Sequence, residues 1–303
     1  MKIVKPSFEI WEQSAGLEGV YKQIEKVGRV CYKSEDKITE DSAKPFVDRM
    51  IKSGHGAMLE HGTVYLTMPM ETILPIEANG WGKYTKNPYS KGFKVCEVDG
   101  QKRVAVTTNL RVLVENGWLD DLQYICEPTE YHERRVTVHF VCDRGVSHEF
   151  VRHRVMSFAQ ESTRYCNYSK DKFGNELTFI IPCWLDIPTG HYAYWDGDWC
   201  DIDKMKIQLP EGEHKDIDAF LWTLNNAETH YTLLINSGWK PQEARAVLPN
   251  SLKTELVVTG FTSDWNHFFD LRARGTTGAP HPQAKELAEP LMKEFIARKY
   301  IND

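Results

Sequence analysis

The order of the helical and strand-like segments is the feature that most limits the fold of this chain. Apolar residues recur at helical spacing from Leu17 to Val27, whereas TVYLTM at 63–68 and TVHFVCD at 137–143 alternate like strands. VCEVDGQKRVAV, at 95–106, has Asp-Gly between two alternating runs, which indicates a hairpin. Because these segments mix without regular βαβ alternation, the sequence predicts an α+β fold: a mixed or antiparallel sheet with flanking helices.

Polar caps, glycine and proline set the predicted ends of the other elements. Ser147 is the predicted N-cap of SHEFVRHR, and Ser263 is the predicted N-cap of SDWNHFFDLRARG. A long amphipathic helix is predicted from Ile217 to Ile235. Further helices are predicted after Ser42, from about Asn109, from Pro241 and from Pro282, and further strands in NELTFIIP and TELVVTG.

Composition limits the classes of partner. The chain has 303 residues, 41% of them hydrophobic, which suffices for one elaborated domain spanning 1–303. Its formal charge of −6 argues against general binding of nucleic acid or anionic membrane, so any anion site must be local. There is no apolar run of membrane-spanning length and no signal-peptide centre near the start. The 7 cysteines are scattered without a C-x-x-C pair, which favours free thiols in a reducing cytoplasm over a zinc site.

One stretch breaks this acidic pattern: RHRVMSFAQESTRY, from Arg152 to Tyr165. Guanidinium groups bind phosphate through paired, charge-assisted hydrogen bonds. Three adjacent cations repel one another unless an anion or neighbouring carboxylates offset them. The alternative is a solvated basic patch, or arginines paired with Glu149 and Glu161.

The stretch resembles the signature of the flavin-dependent thymidylate synthases, in which R-H-R is followed by seven residues and a serine. Here Arg152-His153-Arg154 precedes VMSFAQE and Ser162, and the extended form is completed by Ser157, Arg164 and Tyr165. Ala159 stands where the family often has asparagine, and Gln160 where some members have glutamate.

Three further segments match the same family in order. GHGAMLEHGT contains His61 and Thr63 at positions that contact FAD in the family, although alone it is more typical of a helix end before a buried histidine. EARAVLP and TGFTSDWNHFFDLRARG each carry an arginine that faces the nucleotide in the family, Arg245 and Arg272. From sequence alone, Arg245 is more typical of an exposed surface residue. Arg272 is equally consistent with a partner for the C-terminal helix dipole. Phe261 replaces a polar residue that is common in relatives.

The resemblance implies conversion of dUMP to dTMP with methylenetetrahydrofolate, FAD and NADPH, in the family's own flavin-binding fold and between subunits of a homotetramer. It implies no metal, and it implies a mechanism without a thiolate, so Cys166 is predicted to be structural. Arg272 is the predicted catalytic residue, since a cation can stabilise negative charge on uracil. The implied dUMP contacts are Glu149, Arg152, Gln160, Glu161, Ser162, Thr163, Arg164, Arg245 and Arg272; the implied FAD contacts are His61, Thr63, Arg152, His153, Arg154, Gln160, Phe261, Thr262, Ser263 and His267.

Two other functions remain open at this point. Arg152, Arg154, Arg164 and Tyr165 can clamp and stack a single-stranded nucleic acid, although the net charge opposes this. A metal hydrolase using His55, His61 and His153 lacks any recognised ligand spacing. Compared with compact family members, residues 74–135 and 183–215 are predicted insertions, the second one irregular.

Overall fold

A computed structural model of the protein describes residues 1–73, 82–201, 206–209 and 215–302. Its strands are β1 (Lys2–Val4), β2 (Ser7–Trp11), β3 (Thr63–Pro69), β4 (Lys91–Val98), β5 (Gln101–Asn109), β6 (Arg135–Asp143), β7 (Ser157–Gln160), β8 (Thr178–Ile180), β9 (Gly190–His191), β10 (Ala193–Trp195), β11 (Asp198–Cys200) and β12 (Lys253–Phe261). Its α-helices are α1 (Gly16–Tyr32), α2 (Ala43–Lys52), α3 (Gly56–Leu59), α4 (Met70–Ile73), α5 (Leu110–Asn116), α6 (Arg144–Phe150), α7 (Lys215–Asn236), α8 (Pro241–Ala244), α9 (Thr262–Phe269) and α10 (Pro282–Ala297). The predicted α+β class is confirmed.

A four-stranded sheet in the order β2-β6-β12-β7 forms the centre of the molecule. All of its pairs are antiparallel, and Val258 of β12 lies opposite both Val138 and Phe158. Alternation sends one set of side chains into an apolar core with α6, α9 and α10, in which Trp265 and Phe268 are fully buried. The other face packs against α1. Because both faces of the sheet are packed, we expect the functional polar groups at its ends and edges.

Two smaller sheets flank the centre. In the sheet β3-β5-β4, the predicted Asp-Gly hairpin is confirmed: Asp99 and Gly100 have φ of 52° and 73°. The sheet β8-β1-β9 joins the first strand in parallel to β8. The first of these sheets contains β4 and β5 of the first predicted insertion, and the second contains β9 of the second predicted insertion.

The second predicted insertion is less irregular than expected. It contains β9 and the hairpin of β10 and β11, in which Asp196 and Gly197 have φ of 48° and 88°. The sequence does contain Asp-Gly at this turn, but the surrounding tryptophans led to the prediction of an irregular segment. Residues 74–81, 202–205 and 210–214 of the two insertions lie outside the described residues. The division of the chain into one domain stays a prediction.

Both predicted serine caps are wrong for the same reason. α6 begins three residues before Ser147, because the Asp143 carboxylate accepts from the Val146 N–H at 2.7 Å. α9 begins one residue before Ser263, where the Phe261 N–H donates to the Asp264 carboxylate at 3.2 Å. In each case an acidic side chain, not the serine, accepts from a backbone N–H at the helix start, although in α9 this N–H is that of the N-cap residue Phe261 itself.

The sequence also missed β7, which lies inside the cationic stretch. Its residues pair with β12 from Ser157↔Thr259 to Gln160↔Leu256. The polar residues around this strand obscured its pattern in the sequence, although buried and half-buried side chains alternate along it. No helix in the described ranges is both long enough and apolar enough to span a bilayer.

Candidate active site

The cationic stretch lies where α6 ends and before β7 begins. α6 stops at Phe150, so Arg152, His153 and Arg154 occupy a turn rather than a helix face. In this turn the two arginines are exposed and the histidine between them is buried. The backbone thereby sends two cations to solvent and one imidazole inward.

This turn borders a cleft of about 770 Å³, which we call the cationic cleft. Its other walls are α9, the π-helical turn Asp270–Arg274 that follows it, and the loop 277–281. Six of the residues predicted from sequence line it: Glu149, Arg152, His153, Arg154, His267 and Arg272.

Arg272 forms the floor of the cationic cleft. Its Nε–H donates to His153 Nε2 at 3.2 Å, one Nη to the Glu149 carboxylate at 2.5 Å, and the other Nη to the Glu149 carbonyl at 2.7 Å. Arg152 lies 3.8 Å from the other Glu149 carboxylate oxygen. We call these four residues the cleft network. One carboxylate faces two guanidinium groups in it, so the network retains positive charge.

His153 acts in the cleft network as a neutral acceptor. Burial, together with the charges of Arg272, His267 and Arg152, lowers its pKa to about 4. Above that pH its Nε2 is free to accept from Arg272. The ring also packs against Phe268, with centroids 5.0 Å apart, which fixes its orientation.

The later part of the cationic stretch lies elsewhere. The Ser162 N–H donates to the Cys31 carbonyl at 3.0 Å, which ties this loop to the end of α1. Arg245 donates to the Thr163 hydroxyl at 3.2 Å. Arg164 is exposed and its guanidinium lies 5.4 Å from the Tyr165 ring. These predicted dUMP residues form a second group, which does not line the cationic cleft.

Glu161 and Gln160 are engaged within the fold. The Glu161 carboxylate, 1% exposed, accepts from Lys253 Nζ at 2.8 Å and from the Tyr168 hydroxyl at 2.9 Å. The Gln160 amide donates to the Ser147 and Thr254 hydroxyls. Their predicted contacts with ligand require these bonds to be shared or exchanged.

Glu161 belongs to a larger ion cluster that sequence reasoning missed. Lys253 also lies 2.6 Å from Glu255, which in turn lies 2.6 Å from Lys33 and 2.9 Å from His139. The hydrogen bond from His139 and the two lysines hold the pKa of Glu255 below its usual range, although burial opposes them. We call Lys33, His139, Glu161, Lys253 and Glu255 the sheet network. Alternation along β12 is the signal, since it places Lys253 and Glu255 on one face.

His61 and Thr63 form a third group, inside the protein. The His61 ring is fully buried and its Nδ1 lies 2.8 Å from the Thr259 hydroxyl, while its Nε2 has no partner in the described part of the chain. Burial, helped by the charge of Arg135, lowers its pKa to about 3. A Cβ on Gly62 would approach Ile24 to 2.5 Å, so α1 packs directly on this turn.

The segment from Phe261 to His267 reaches the cationic cleft through Asp264 and His267. Phe261 is buried, and Lys91 of the β4–β5 hairpin lies 4.5 Å from its ring centroid. The Thr262 N–H donates to the Arg134 carbonyl at 3.0 Å. The Ser263 hydroxyl accepts from Lys91 at 2.7 Å and donates to Glu133. Of the residues predicted to contact FAD in this segment, His267 lines the cleft, with its ring centroid 5.7 Å from that of His153.

His55 lies in a different environment from the one expected. It lines a cleft of about 380 Å³ with Tyr32 and Arg111, and the Tyr32 ring is 5.2 Å from the Tyr165 ring. This second cleft thus adjoins the Ser162–Tyr165 loop. The Gly-His-Gly tripeptide was the available signal, because glycines on both sides leave the ring uncovered.

The described thiols and acids do not assemble a metal or nucleophile centre. The part of the chain that the structure covers has no group of three His, Cys, Asp or Glu residues placed to hold a metal ion. Cys166 is buried, and burial raises the pKa of its thiol to about 12. The chemistry available in the cationic cleft is therefore anion binding and charge stabilisation by arginine.

The chain is similar to known proteins of one family. A family model described as "Thymidylate synthase complementing protein" matches residues 128–298, which include the whole cleft network. The "Flavin-dependent thymidylate synthase" of Pyrococcus furiosus is 31% identical over 163 residues, covering 53% of each chain. That of Corynebacterium aurimucosum is 22% identical over 286 residues, covering 93% of this chain and 78% of the relative.

Among solved structures, a UMP/dUMP methylase PolB from Streptomyces cacaoi bound with 5-Br dUMP is similar with a TM-score of 0.43 and 17% identity. That alignment covers 98% of this chain and 93% of the other. With the first curated relatives, the match spans about half of their length.

Proposed function

Because the chain belongs to the thymidylate synthase complementing protein family, we propose that it is a flavin-dependent thymidylate synthase. Its reaction is the reductive methylation of dUMP to dTMP, with 5,10-methylenetetrahydrofolate as carbon donor, FAD as cofactor and NADPH as reductant. The observation that carries the proposal is the cleft network: Arg272, with its Nε and both Nη atoms bonded, faces an open, cationic cleft beside two exposed arginines.

Arg272 is the proposed catalytic residue. C5 of uracil is a weak nucleophile until negative charge on the ring is favoured, and no thiolate supports that role because the Cys166 thiol is buried with a raised pKa. A guanidinium fixed by His153 and Glu149 is preorganised, so it stabilises developing charge without reorganising. Glu149, which offsets part of that charge, tunes the strength of the effect.

The other arginines hold anionic groups of the ligands. Arg152 and Arg154 project from a short turn into the cationic cleft, where guanidinium groups pair with phosphate oxygens. His267 lies on the opposite wall and supplies a ring at the same opening. These residues fit the FAD pyrophosphate and the dUMP phosphate. FAD, when bound, supplies the hydride.

The proposed protein is a homotetramer in the cytoplasm. This assembly accounts for the predicted site residues that lie away from the cationic cleft. The Ser162–Arg164 group and Arg245 lie outside the cationic cleft of their own chain. A second copy can bring its Ser162–Arg164 loop to the cleft of the first, so that each site is completed in trans. His61 and Thr63 would then support the site from within the fold.

The test is a methylation assay with dUMP, methylenetetrahydrofolate, FAD and NADPH, and dTMP is the expected product. The purified protein should show flavin absorbance and elute as a tetramer. A colourless protein that shifts oligonucleotides in a salt-dependent way would overturn the proposal in favour of nucleic-acid binding.

A further inference from the structure

The cationic cleft continues into a second lobe. A neighbouring cavity of about 390 Å³ shares Glu149 and His281 with it. Ligand sites of drug-sized molecules occupy roughly 300–1,000 Å³. The two lobes together therefore exceed the needs of a mononucleotide and suit a longer ligand.

Aromatic rings form the walls of this second lobe. Trp184, from the second predicted insertion, is 59% exposed although it is among the largest apolar side chains. Its ring packs edge-on against His281, with centroids 6.2 Å apart, and Phe220 of α7 also lines the cavity. An indole held at its edge, with a face open to a cavity, is a platform for stacking a flat ring.

The lobe also carries an amide suited to one kind of ring. Asn250 lines it, and the Asn250 backbone carbonyl accepts from the Arg144 and Gly145 N–H groups, which fixes the position of this residue. An asparagine amide matches adenine, because it accepts from N6–H₂ and donates to N7. The Asp143 carboxylate already accepts from the Val146 N–H and the Gln283 amide, so we assign the reading of the base to Asn250.

Charge separates the two lobes. Arg152, Arg154 and Arg272 lie in the cationic cleft, whereas the lining of the second lobe contains aromatic rings, amides and the carboxylates of Asp143 and Glu149, and neither lysine nor arginine. A ligand with an aromatic base at one end and phosphates one sugar away matches this sequence of environments.

We propose that the Trp184 lobe binds the adenine ring of an adenosine diphosphate group whose phosphates lie in the cationic cleft. Both FAD and NADPH contain this group, and the inference rests on the proposed function for that choice of coenzymes. Trp184 stacks on the base, Asn250 reads its N6 and N7, and Arg152 and Arg154 pair with the phosphates.

The first test measures binding of ADP to the full chain by calorimetry. Trp184→Ala should weaken ADP about tenfold, the loss expected for one stacked base. Trp239→Ala, which removes a tryptophan that is 47% exposed and does not line the lobe, is the matched control and should bind ADP like wild type. Equal affinities in wild type and Trp184→Ala, or no binding by wild type, overturn the inference.

The second test addresses the base. Wild type should prefer ADP to inosine diphosphate, because inosine presents an acceptor where adenine presents N6–H₂. Asn250→Ala should lose this preference while still binding both nucleotides through Trp184. A preference that survives in Asn250→Ala contradicts the reading role.

Two further arms identify which coenzyme uses the lobe. If Trp184→Ala keeps its flavin but needs about tenfold more NADPH to reduce it, the occupant is NADPH; if it is purified with less flavin, which added FAD restores, the occupant is FAD. Methylation by pre-reduced wild type is measured in parallel. Its absence would overturn the proposed function, but not ADP binding.

Discussion

The cleft network and the sheet network are built from the same kinds of side chain and end up with opposite character. In the sheet network, Lys33 and Lys253 face Glu161 and Glu255, and the exposure of these side chains is between 1% and 20%. In the cleft network one carboxylate, that of Glu149, faces two arginines at the edge of an open cleft. Balanced charges that are closed to solvent make the fold depend on every partner, because removal of one leaves a buried charge unpaired, whereas an excess cation at an opening attracts a ligand.

The two networks also differ in their free hydrogen-bonding capacity. Lys253 donates to both acids of the sheet network, Glu161 and Glu255, and each carboxylate oxygen of Glu161 accepts a hydrogen bond. Arg272 uses one N–H of each of its three nitrogens, so further N–H groups remain for a substrate. Substitutions should accordingly change stability in one network and rate in the other.

The largest expected effect is in the sheet network. Lys253→Met leaves Glu161 buried without its cation, and removal of one partner of a buried pair destabilises by about 3–5 kcal/mol. Urea unfolding should therefore show a much lower free energy of unfolding. Lys44→Met, which breaks the exposed pair with Asp48, is the control and should change nothing measurable. Equal losses in both variants would contradict the comparison.

In the cleft network the expected loss is one of rate. Arg272→Ala should slow single-turnover oxidation of pre-reduced flavin about a hundredfold, at saturating dUMP and methylenetetrahydrofolate. Arg272→Lys retains the charge but loses the planar donor geometry, so its rate should be intermediate. The unfolding free energy of both variants is measured alongside. If Arg272→Ala matches wild type in that step, Arg272 only binds.

Acid should reduce stability through buried histidines. The pKa values of His61 and His153 are about 3 and about 4 in the folded protein, against roughly 6.5 when unfolded. The unfolded chain therefore takes up more protons as the pH falls from 6.5 to 5, and stability declines. His61→Gln should reduce this slope by up to about 1.4 kcal/mol per pH unit. An unchanged slope in urea titrations would show that His61 is protonated in the fold.

The smallest effect is expected at Cys166, which lies outside the cleft network. Its thiol is buried with a raised pKa, so it contributes no nucleophile. Cys166→Ala should retain most of the methylation rate. A folded, flavin-bound variant with no activity would refute a mechanism without a thiolate.

The sequence predicted elements with strong periodicity and missed those set by single side chains. The Asp99-Gly100 hairpin, α1 and β12 follow from spacing alone. The start of α6 depended instead on the Asp143 carboxylate, which competes with Ser147 for the cap. Such choices depend on which of two neighbouring polar groups reaches the backbone, and periodicity carries no information about this.

For the candidate site, the local motifs could be recognised in the sequence, whereas the burial of individual residues could not be predicted. The R-H-R stretch predicted a local anion site, and Arg152, His153 and Arg154 all line the cationic cleft. The same spacing gave no sign that Glu161 pairs with Lys253, 92 positions further along the chain. Nor did it distinguish the buried His61 from the exposed cleft around His55. These distinctions arise from tertiary contacts between strands that are distant in sequence.

The parallel pair of β1 and β8 has a consequence for how the protein is made. β1 ends at Val4, and its partner begins at Thr178, so the first strand has no parallel neighbour until more than half of the chain has been synthesised. At about 5–20 residues per second, that delay lasts many seconds, whereas the β4–β5 hairpin can close within microseconds of its emergence. The nascent chain must therefore keep an apolar N-terminal edge unpaired during translation. Formation of the β8-β1-β9 sheet should consequently lag behind that of the β4–β5 hairpin.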